Sequence, residues 1–268
     1  MAESGVERIA AAFTAARDEG RAALMPYLMA GFPDLGTSAA VIDAYADTGA
    51  DLIELGVPYS DPLADGPVIH AAGTKALEAG TTFDDAMALC ARVADRLPVL
   101  PMVYANVVLT LGPDRFAAAL DNAGAAGAII PDLPPEEDES VAAELTARGL
   151  APIGFVTPTT SPERLERIAA DAIGFTYVVS LTGVTGERAE IPAELSDLVT
   201  AVREASPAPA AVGFGIGTPD HAAAVGEMAD GVIIGTRLVR AVADAGSTEE
   251  AVDAVRSFLA DARVALAG

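Results

Sequence analysis

Short apolar runs alternate with amphipathic stretches along the chain. Runs of this length that are closed by Gly or Pro are typical of buried parallel strands. We predict eight strands, at Ala23–Ala30, Asp51–Leu55, Val99–Val103, Ala126–Ile130, Ala151–Val156, Phe175–Val179, Ala210–Val212 and Gly231–Ile234.

The segments between these runs carry helix start signals. Ser161 and Thr218 each precede a Pro, and Ser247 has Glu250 three residues further on, as in a capping box. Eight strand–helix units, spaced roughly 20 to 35 residues apart, predict an α/β protein with a single (β/α)8 TIM barrel over residues 1–268. Val6, Ile9 and Phe13 predict an extra N-terminal helix. A doubly wound open sheet is the alternative, although the even spacing favours a closed barrel.

Composition agrees with one large domain. The chain has 268 residues, 51% of them hydrophobic, and no apolar stretch long enough to span a membrane. The N-terminus has charges and lacks the continuous apolar segment of a signal peptide. The single cysteine, Cys90, lies in an apolar helical pattern, which favours core packing and is compatible with a cytoplasmic location.

The charge balance narrows the possible partners. Sixteen basic and 39 acidic residues give a net charge of −23. This field repels nucleic acid and anionic membranes, so we expect neither as a partner. It also repels an anionic substrate, which local donors would therefore have to hold.

Asp51 to Gly66, DLIELGVPYSDPLADG, contains the strongest candidate for chemistry. Glu54 lies near the end of a predicted buried strand, and Asp61 and Asp65 follow in the loop. Two carboxyl groups in different environments can hold different pKa values, which is an acid/base arrangement. The alternative is that Glu54 caps a helix or pairs with an Arg, and that the aspartates only form turns.

Glycines follow the last two predicted strands. GFGIG covers residues 213–217, and Gly235-Thr236 follows the eighth strand; each precedes a helical segment. In a barrel, backbone N–H groups at these positions bind phosphate. The alternative is that these glycines only permit tight turns.

The remaining residues exclude several mechanisms. Lys75, the only lysine, lies in a helical segment, which argues against a Schiff-base aldolase or pyridoxal phosphate bound to this chain. His70 and His221 are too few and too scattered for a His-rich metal site, so no metal is expected. The mechanism that remains is acid/base catalysis by carboxylates, acting on a phosphorylated small molecule.

IELGVPYSDPLADGPVI, residues 53–69, is very similar to the most characteristic motif of the tryptophan synthase α subunit family. The similarity continues in the family's order through further motifs: PYLMAGFP, Tyr104-Ala105-Asn106, PDLP from Pro131, GVTG at residues 183–186, and the glycines after strands 7 and 8. The resemblance therefore covers nearly the whole chain.

That resemblance implies a barrel that cleaves indole-3-glycerol phosphate to indole and glyceraldehyde 3-phosphate. The family passes indole to a β subunit carrying pyridoxal phosphate, in an αββα complex; no cofactor is implied for this chain. Glu54 would be the general acid/base and Asp65 its partner, accepting the indole N–H. The other implied site residues are Tyr177, Thr185, Gly186, Gly215, Gly235 and Thr236 for substrate, and Pro58, Asp61 and Pro62 for the β subunit.

Some features depart from the family pattern, and alternatives stay open. Leu181-Thr182 stand where some members have a basic residue, Gly217 where a hydroxyl residue is common, and Thr236 where Ser is common. Other functions are a non-catalytic subunit that activates a β partner, a sugar-phosphate isomerase, or a free-standing indole-releasing lyase. Retention of both carboxylates argues against the first. The lack of Lys or His at strand ends argues against the second.

Overall fold

The apolar runs form eight parallel strands that close into a barrel. A computed structural model describes residues 3–134, 136–179, 193–213 and 215–268. Each strand pairs with the next along the chain, and β8 pairs with β1. The strands are β1 Ala23–Met29, β2 Ile53–Gly56, β3 Val99–Met102, β4 Gly127–Ile129, β5 Ala151–Val156, β6 Thr176–Val179, β7 Ala210–Gly213 and β8 Gly231–Ile234.

Helices surround the barrel and link successive strands. Twelve occur in the part of the chain that the structure describes. They are α1 Gly5–Asp18, α2 Leu35–Asp47, α3 Pro67–Glu78, α4 Phe83–Val93, α5 Ala105–Leu111, α6 Pro113–Asn122, α7 Glu139–Ala147, α8 Pro162–Ala170, α9 Ala193–Ala205, α10 Pro219–Gly226, α11 Thr236–Asp244 and α12 Thr248–Leu266. The predicted fold class is confirmed, with α1 as the extra N-terminal helix.

Local signals in the sequence account for where the helices begin. The side chains of Ser161, Thr218 and Ser247 each accept a hydrogen bond from the backbone N–H three residues later. One detail of the prediction is wrong. Glu250 accepts from the backbone N–H of Gly246 at 2.7 Å, one residue before the N-cap, so the reciprocal bond of a capping box is replaced by a bond to the preceding residue.

The N-terminal end of the barrel is closed by packing and by a buried ion pair. On α1, Ile9 is fully buried, and the ring of Phe13 lies 5.6 Å from that of Phe175. Next to this contact, Arg21 donates to both carboxylate oxygens of Asp51, at 2.5 and 2.8 Å. Asp51 also accepts the backbone N–H of Leu24 on β1. These contacts tie the start of β1 to the start of β2.

Two further expectations concern the core and the membrane. The Cys90 thiol is fully buried on α4, as the apolar helical pattern around it predicted. No helix among the described residues combines the length and the apolar character needed to cross a membrane.

Candidate active site

A cavity of about 300 Å³ opens at the carboxyl ends of the strands. Its lining joins two groups of residues that are far apart in sequence. One group holds the carboxylates, Glu54 and Asp65, and the other holds Gly215, Gly235 and Thr236 after β7 and β8. In barrels of this kind the carboxyl ends of the strands carry the active site.

Glu54 is buried on β2, with 2% of its surface exposed. The strand places it beside Tyr27 of β1 and Leu100 of β3, and it points into the cavity. The Tyr177 hydroxyl donates a hydrogen bond to Glu54 Oε2 at 3.4 Å. Burial, helped by the charge of Asp65, raises the pKa of Glu54 to about 8, although the Tyr177 bond opposes this rise. Glu54 is therefore mostly protonated at neutral pH.

Asp65 lies on the loop above Glu54 and is held by Tyr104. The Tyr104 hydroxyl donates to Asp65 Oδ1 at 2.9 Å and accepts the backbone N–H of Ala64 at 3.2 Å. The Tyr59 ring stacks on Tyr104 with centroids 5.2 Å apart. Burial raises the pKa of Asp65 to about 6, while the Tyr104 bond and the charge of His70 pull the pKa down. At pH 7 Asp65 is mostly ionised.

The two carboxyl groups thus differ in protonation at the same pH. Glu54 offers a proton, and Asp65 offers a negative charge. A pair of titratable groups whose environments separate their pKa values is the arrangement expected for acid/base chemistry.

Tyr177 forms the wall opposite β2. It lies on β6, and its ring stacks on Phe155 of β5 at 5.0 Å. It also packs against Gly213, where a methyl group placed on the Cα would lie 2.6 Å from the ring. The glycine at this position is therefore required for the ring to reach Glu54.

The other end of the cavity is suited to an anion. Helix α11 begins at Thr236, and its N-cap residue, Gly235, provides no side-chain cap. The first N–H groups of a helix lack intrahelical partners, and the helix dipole favours negative charge there. The guanidinium of Arg237 lies over the Phe258 ring, 5.0 Å from its centroid, so this cation faces α12. At this helix end, the backbone N–H groups rather than the Arg237 guanidinium are therefore the donors suited to a phosphate.

Comparisons with known proteins agree with this geometry. The sequence profile of the tryptophan synthase alpha chain matches residues 13–265. The chain is 45% identical to the tryptophan synthase alpha chain of Synechococcus sp. (strain CC9902) over 257 residues, covering 95% of this chain and 96% of that relative. It is 44% identical to the alpha chain of Geobacter sulfurreducens over 237 residues, covering 88% of this chain and 90% of that relative.

Solved structures give the same result. The fold matches a structure of Mycobacterium tuberculosis tryptophan synthase with a TM-score of 0.89 at 36% identity, over 97% of this chain and 98% of that one. It matches the alpha subunit of Legionella pneumophila with a TM-score of 0.87 at 34% identity, over 97% and 98%. This chain belongs to the tryptophan synthase alpha chain family. The resemblance seen in its motifs is confirmed.

The loop of this alpha chain between β2 and α3 differs in part from the expectation. Asp61 is exposed and Pro62 is half-buried, but Pro58, expected to face a partner, is buried. Pro58 follows Val57, whose N–H bonds to the carbonyl of Met102, and this bond draws the start of the loop into the barrel. Leu63, with 86% of its surface exposed, is an apolar residue of this loop that sequence reasoning overlooked.

Two expected site residues belong to a segment that the structure does not describe. Thr185 and Gly186, with Leu181 and Thr182, are outside the described residues. Lys75 is on α3, with its ammonium over the Phe32 ring, and does not line the cavity. Among the residues that the structure describes, no three His, Cys, Asp or Glu side chains group as metal ligands.

The structure adds two tyrosines to the site. Tyr104 stands in the motif Tyr104-Ala105-Asn106 and Tyr27 in a predicted strand, and the sequence alone indicates a functional role for neither. The neighbouring residues of both tyrosines in the sequence are apolar, so each looks like an ordinary core residue. For Tyr27 the sequence held no signal of its place beside Glu54, because the predicted strands end three residues after Tyr27 but one residue after Glu54. The observed register is what places the two side chains at the same height on adjacent strands.

Proposed function

We propose that this alpha chain cleaves indole-3-glycerol phosphate to indole and glyceraldehyde 3-phosphate, a carbon–carbon lyase step of tryptophan biosynthesis. The observation that carries the proposal is the pair of carboxyl groups with separated pKa values in a cavity that ends at an uncapped helix N-terminus. The cavity thus offers acid/base groups at one end and anion-binding N–H groups at the other. Family membership supplies the reaction class.

In the proposed reaction Glu54 acts twice. Protonated Glu54 first delivers its proton to C3 of the indole ring, and the ring becomes positively charged. The resulting carboxylate then removes the proton from the hydroxyl on the adjacent carbon. The C3–carbon bond breaks, its electron pair returns to the ring, and the former carbinol carbon becomes the aldehyde. A pKa near neutrality suits a group that gives and takes a proton in one cycle.

Asp65 is proposed to stabilise the charged ring. Its carboxylate would accept the indole N–H, which becomes more acidic as C3 is protonated. Its ionisation at neutral pH and its fixed orientation by Tyr104 support this role. Tyr177 supports Glu54 through its hydrogen bond, and Gly215, Gly235 and Thr236 are proposed to bind the phosphate. Phosphate binding, remote from the breaking bond, orients the substrate.

We further propose that the chain works with a tryptophan synthase β subunit in the cytoplasm. The β subunit would hold pyridoxal phosphate and consume the indole, and the steps assigned to this chain use only its own side chains. Support comes from its similarity to the M. tuberculosis tryptophan synthase structure. The exposed loop residues Asp61 and Leu63 lie in the loop that carries Asp65. The buried free thiol of Cys90 is compatible with a reducing compartment.

Glu54→Gln tests the reaction. The amide keeps the shape but cannot transfer protons, so indole release from indole-3-glycerol phosphate should fall by roughly 10²–10⁴-fold or more. Binding of 3-(indol-3-yl)propyl phosphate, an unreactive analogue, should stay near the wild-type affinity. Because the chain contains no Trp, indole fluorescence is followed with little background.

Glu78→Gln, at the exposed end of α3, is the matched control and should retain wild-type turnover. Near-normal indole release by Glu54→Gln would refute the mechanism. Absence of indole release by the wild type, alone and with a β subunit, would refute the function itself.

A further inference from the structure

Tyr27 is a buried tyrosine of the cavity that the proposed chemistry leaves without a role. It lies on β1 in register with Glu54 on β2, so the two side chains leave the barrel wall at the same height. Only 4% of its surface is exposed, and it lines the cavity together with Glu54 and Asp65.

The Tyr27 hydroxyl lacks a strong hydrogen-bond partner. Within the described ranges, the contact recorded for it is to Met29 Sδ at 4.0 Å, and a thioether is a weak acceptor. The Tyr104 hydroxyl, by contrast, reaches Asp65 Oδ1 at 2.9 Å, and that of Tyr45 reaches a backbone carbonyl at 3.1 Å. Buried phenol hydroxyls usually find a partner. Tyr27, a residue that lines the cavity, therefore has a buried hydroxyl whose partner is only a weak acceptor.

The side chain of Tyr27 runs between the two ends of the cavity. The base of its ring lies beside Gly235, where a methyl group would meet Cβ, Cγ and Cδ1 at 3.7 to 3.8 Å. Its hydroxyl lies against Gly56 at the end of β2, where a methyl group would be 2.0 Å from Oη. Because β1 pairs with both β8 and β2, a substrate that reaches from the phosphate turn to Glu54 must pass Tyr27.

The part of the substrate that passes Tyr27 is the glycerol chain. It joins the phosphate to the indole ring and carries two hydroxyl groups. We infer that Tyr27 is a specificity-determining residue whose hydroxyl donates a hydrogen bond to a glycerol hydroxyl of the bound substrate. This inference rests on the proposed function.

Electrostatics keeps Tyr27 in the donor form. Burial, together with the charges of Asp65 and Glu54, holds the pKa of Tyr27 well above its ordinary value. The phenol therefore stays protonated across the pH range in which the two carboxyl groups titrate. A site with a buried donor discriminates strongly against a ligand that lacks the matching hydroxyl, because the donor then stays unpaired.

Tyr27→Phe tests the inference with two ligands. The substitution removes the hydroxyl and keeps the ring against Gly235. We expect kcat/KM for indole-3-glycerol phosphate to fall roughly tenfold, the effect of losing one buried hydrogen bond. Binding of 3-(indol-3-yl)propyl phosphate, which lacks both glycerol hydroxyls and leaves the Tyr27 donor unpaired, should not weaken and should equal or exceed the wild-type affinity.

Met29→Leu is the matched control, since it removes the sulfur contact while conserving volume, and should leave both values unchanged. If Tyr27→Phe lowered kcat/KM for the substrate and the affinity for the analogue by the same factor, Tyr27 would have only a packing role and the inference would be wrong. The inference would also be wrong if neither quantity changed. Failure of the proposed function is a separate result, because the wild type would then release no indole.

Discussion

Glu54 and Asp65 share one cavity but face different surroundings. Glu54 is enclosed by the barrel, so burial dominates and its pKa rises to about 8. Asp65 is on a loop and accepts a hydrogen bond from Tyr104, which stabilises its charged form. If both act as proposed, activity rises with increasing pH as Asp65 loses its proton, and falls at higher pH as Glu54 loses its proton. A plot of kcat/KM against pH is then bell-shaped, with an acidic limb near the pKa of Asp65 and a basic limb near that of Glu54.

Tyr104→Phe should shift one limb of that profile. Without the hydroxyl, Asp65 loses the bond that lowers its pKa, so the pKa rises and the acidic limb moves to higher pH. Turnover at pH 6 to 7 should fall several-fold and recover in part toward pH 8. The measurement is kcat/KM for indole-3-glycerol phosphate between pH 5 and 9.

Tyr45→Phe provides the control, since its buried hydroxyl bonds to the backbone carbonyl of Tyr27 rather than to a carboxylate. Its loss should lower stability and leave the acidic limb in place. An unchanged limb in Tyr104→Phe would show that Tyr104 does not set the ionisation of Asp65.

The sequence identified the two carboxylates, and the family resemblance added Tyr177, but neither pointed to Tyr104 or Tyr27. Glu54 stands out because a charge near the end of an apolar run has no packing reason to be there. Tyr104 and Tyr27 sit in apolar patterns where a core tyrosine looks the same. Their roles depend on partners 39 and 27 residues away, Asp65 and Glu54, which are defined only once the strands are in register.

At the scale of helices and strands, local sequence signals predicted where most of these elements begin and end. The eight predicted strands agree with those observed to within two residues at each end, because Gly and Pro close the runs and capping side chains start the helices. The proposed phosphate-binding role of the turn after β8 could not be read from such local signals. It depends on the N-cap being a glycine with no side-chain bond, and on the cavity that this helix end faces.

Gly235→Asp should separate ligand binding from folding. There is room for a Cβ at this position, with neighbours at 3.7 to 3.8 Å, and an Asp at an N-cap favours the helix. The barrel should therefore keep its melting temperature or gain slightly. The new carboxylate would stand in the proposed phosphate site, and binding of glycerol 3-phosphate should weaken by roughly 100-fold or more through charge repulsion.

Gly235→Ala adds the Cβ without the charge and should bind glycerol 3-phosphate within a few-fold of the wild type. Calorimetric titration of both variants gives the comparison. Wild-type affinity in Gly235→Asp would place the phosphate elsewhere, and equal losses in both variants would mean that the effect is steric.

At the scale of the whole molecule, closure of the barrel builds the site. Glu54 is on β2 and Tyr177 on β6, halfway round the barrel from each other, yet the hydroxyl reaches the carboxyl at 3.4 Å. In an open sheet of this strand order these residues would lie several strands apart. The even spacing of eight strand–helix units predicted closure, but the contact across the barrel also depends on Gly213, which leaves space for the Tyr177 ring.

The net charge also acts on the whole molecule. A charge of −23 repels a phosphate ester in solution, and the exposed Asp61, in the loop that also carries Asp65, contributes to this field. The backbone donors at the start of α11, the proposed phosphate site, act over a short distance and would hold a phosphate only once it is inside the cavity. The same negative field favours a partner that presents basic residues to the loop of Asp61.

Asp61→Ala tests whether this loop couples the alpha chain to the proposed β subunit. Asp61 is exposed and stands four positions before Asp65, in a loop whose later part is held by the bond from Ala64 to Tyr104. A partner that contacts Asp61 would order the loop and with it the second carboxylate. The variant should keep the wild-type melting temperature, while stimulation of indole release by the β subunit falls at least roughly fivefold, the lower range of allosteric couplings.

Asp253→Ala, an equal loss of charge on the exposed face of α12, should be stimulated like the wild type. Equal stimulation of the Asp61 and Asp253 variants would show that net charge, and not this loop, governs the response to the partner.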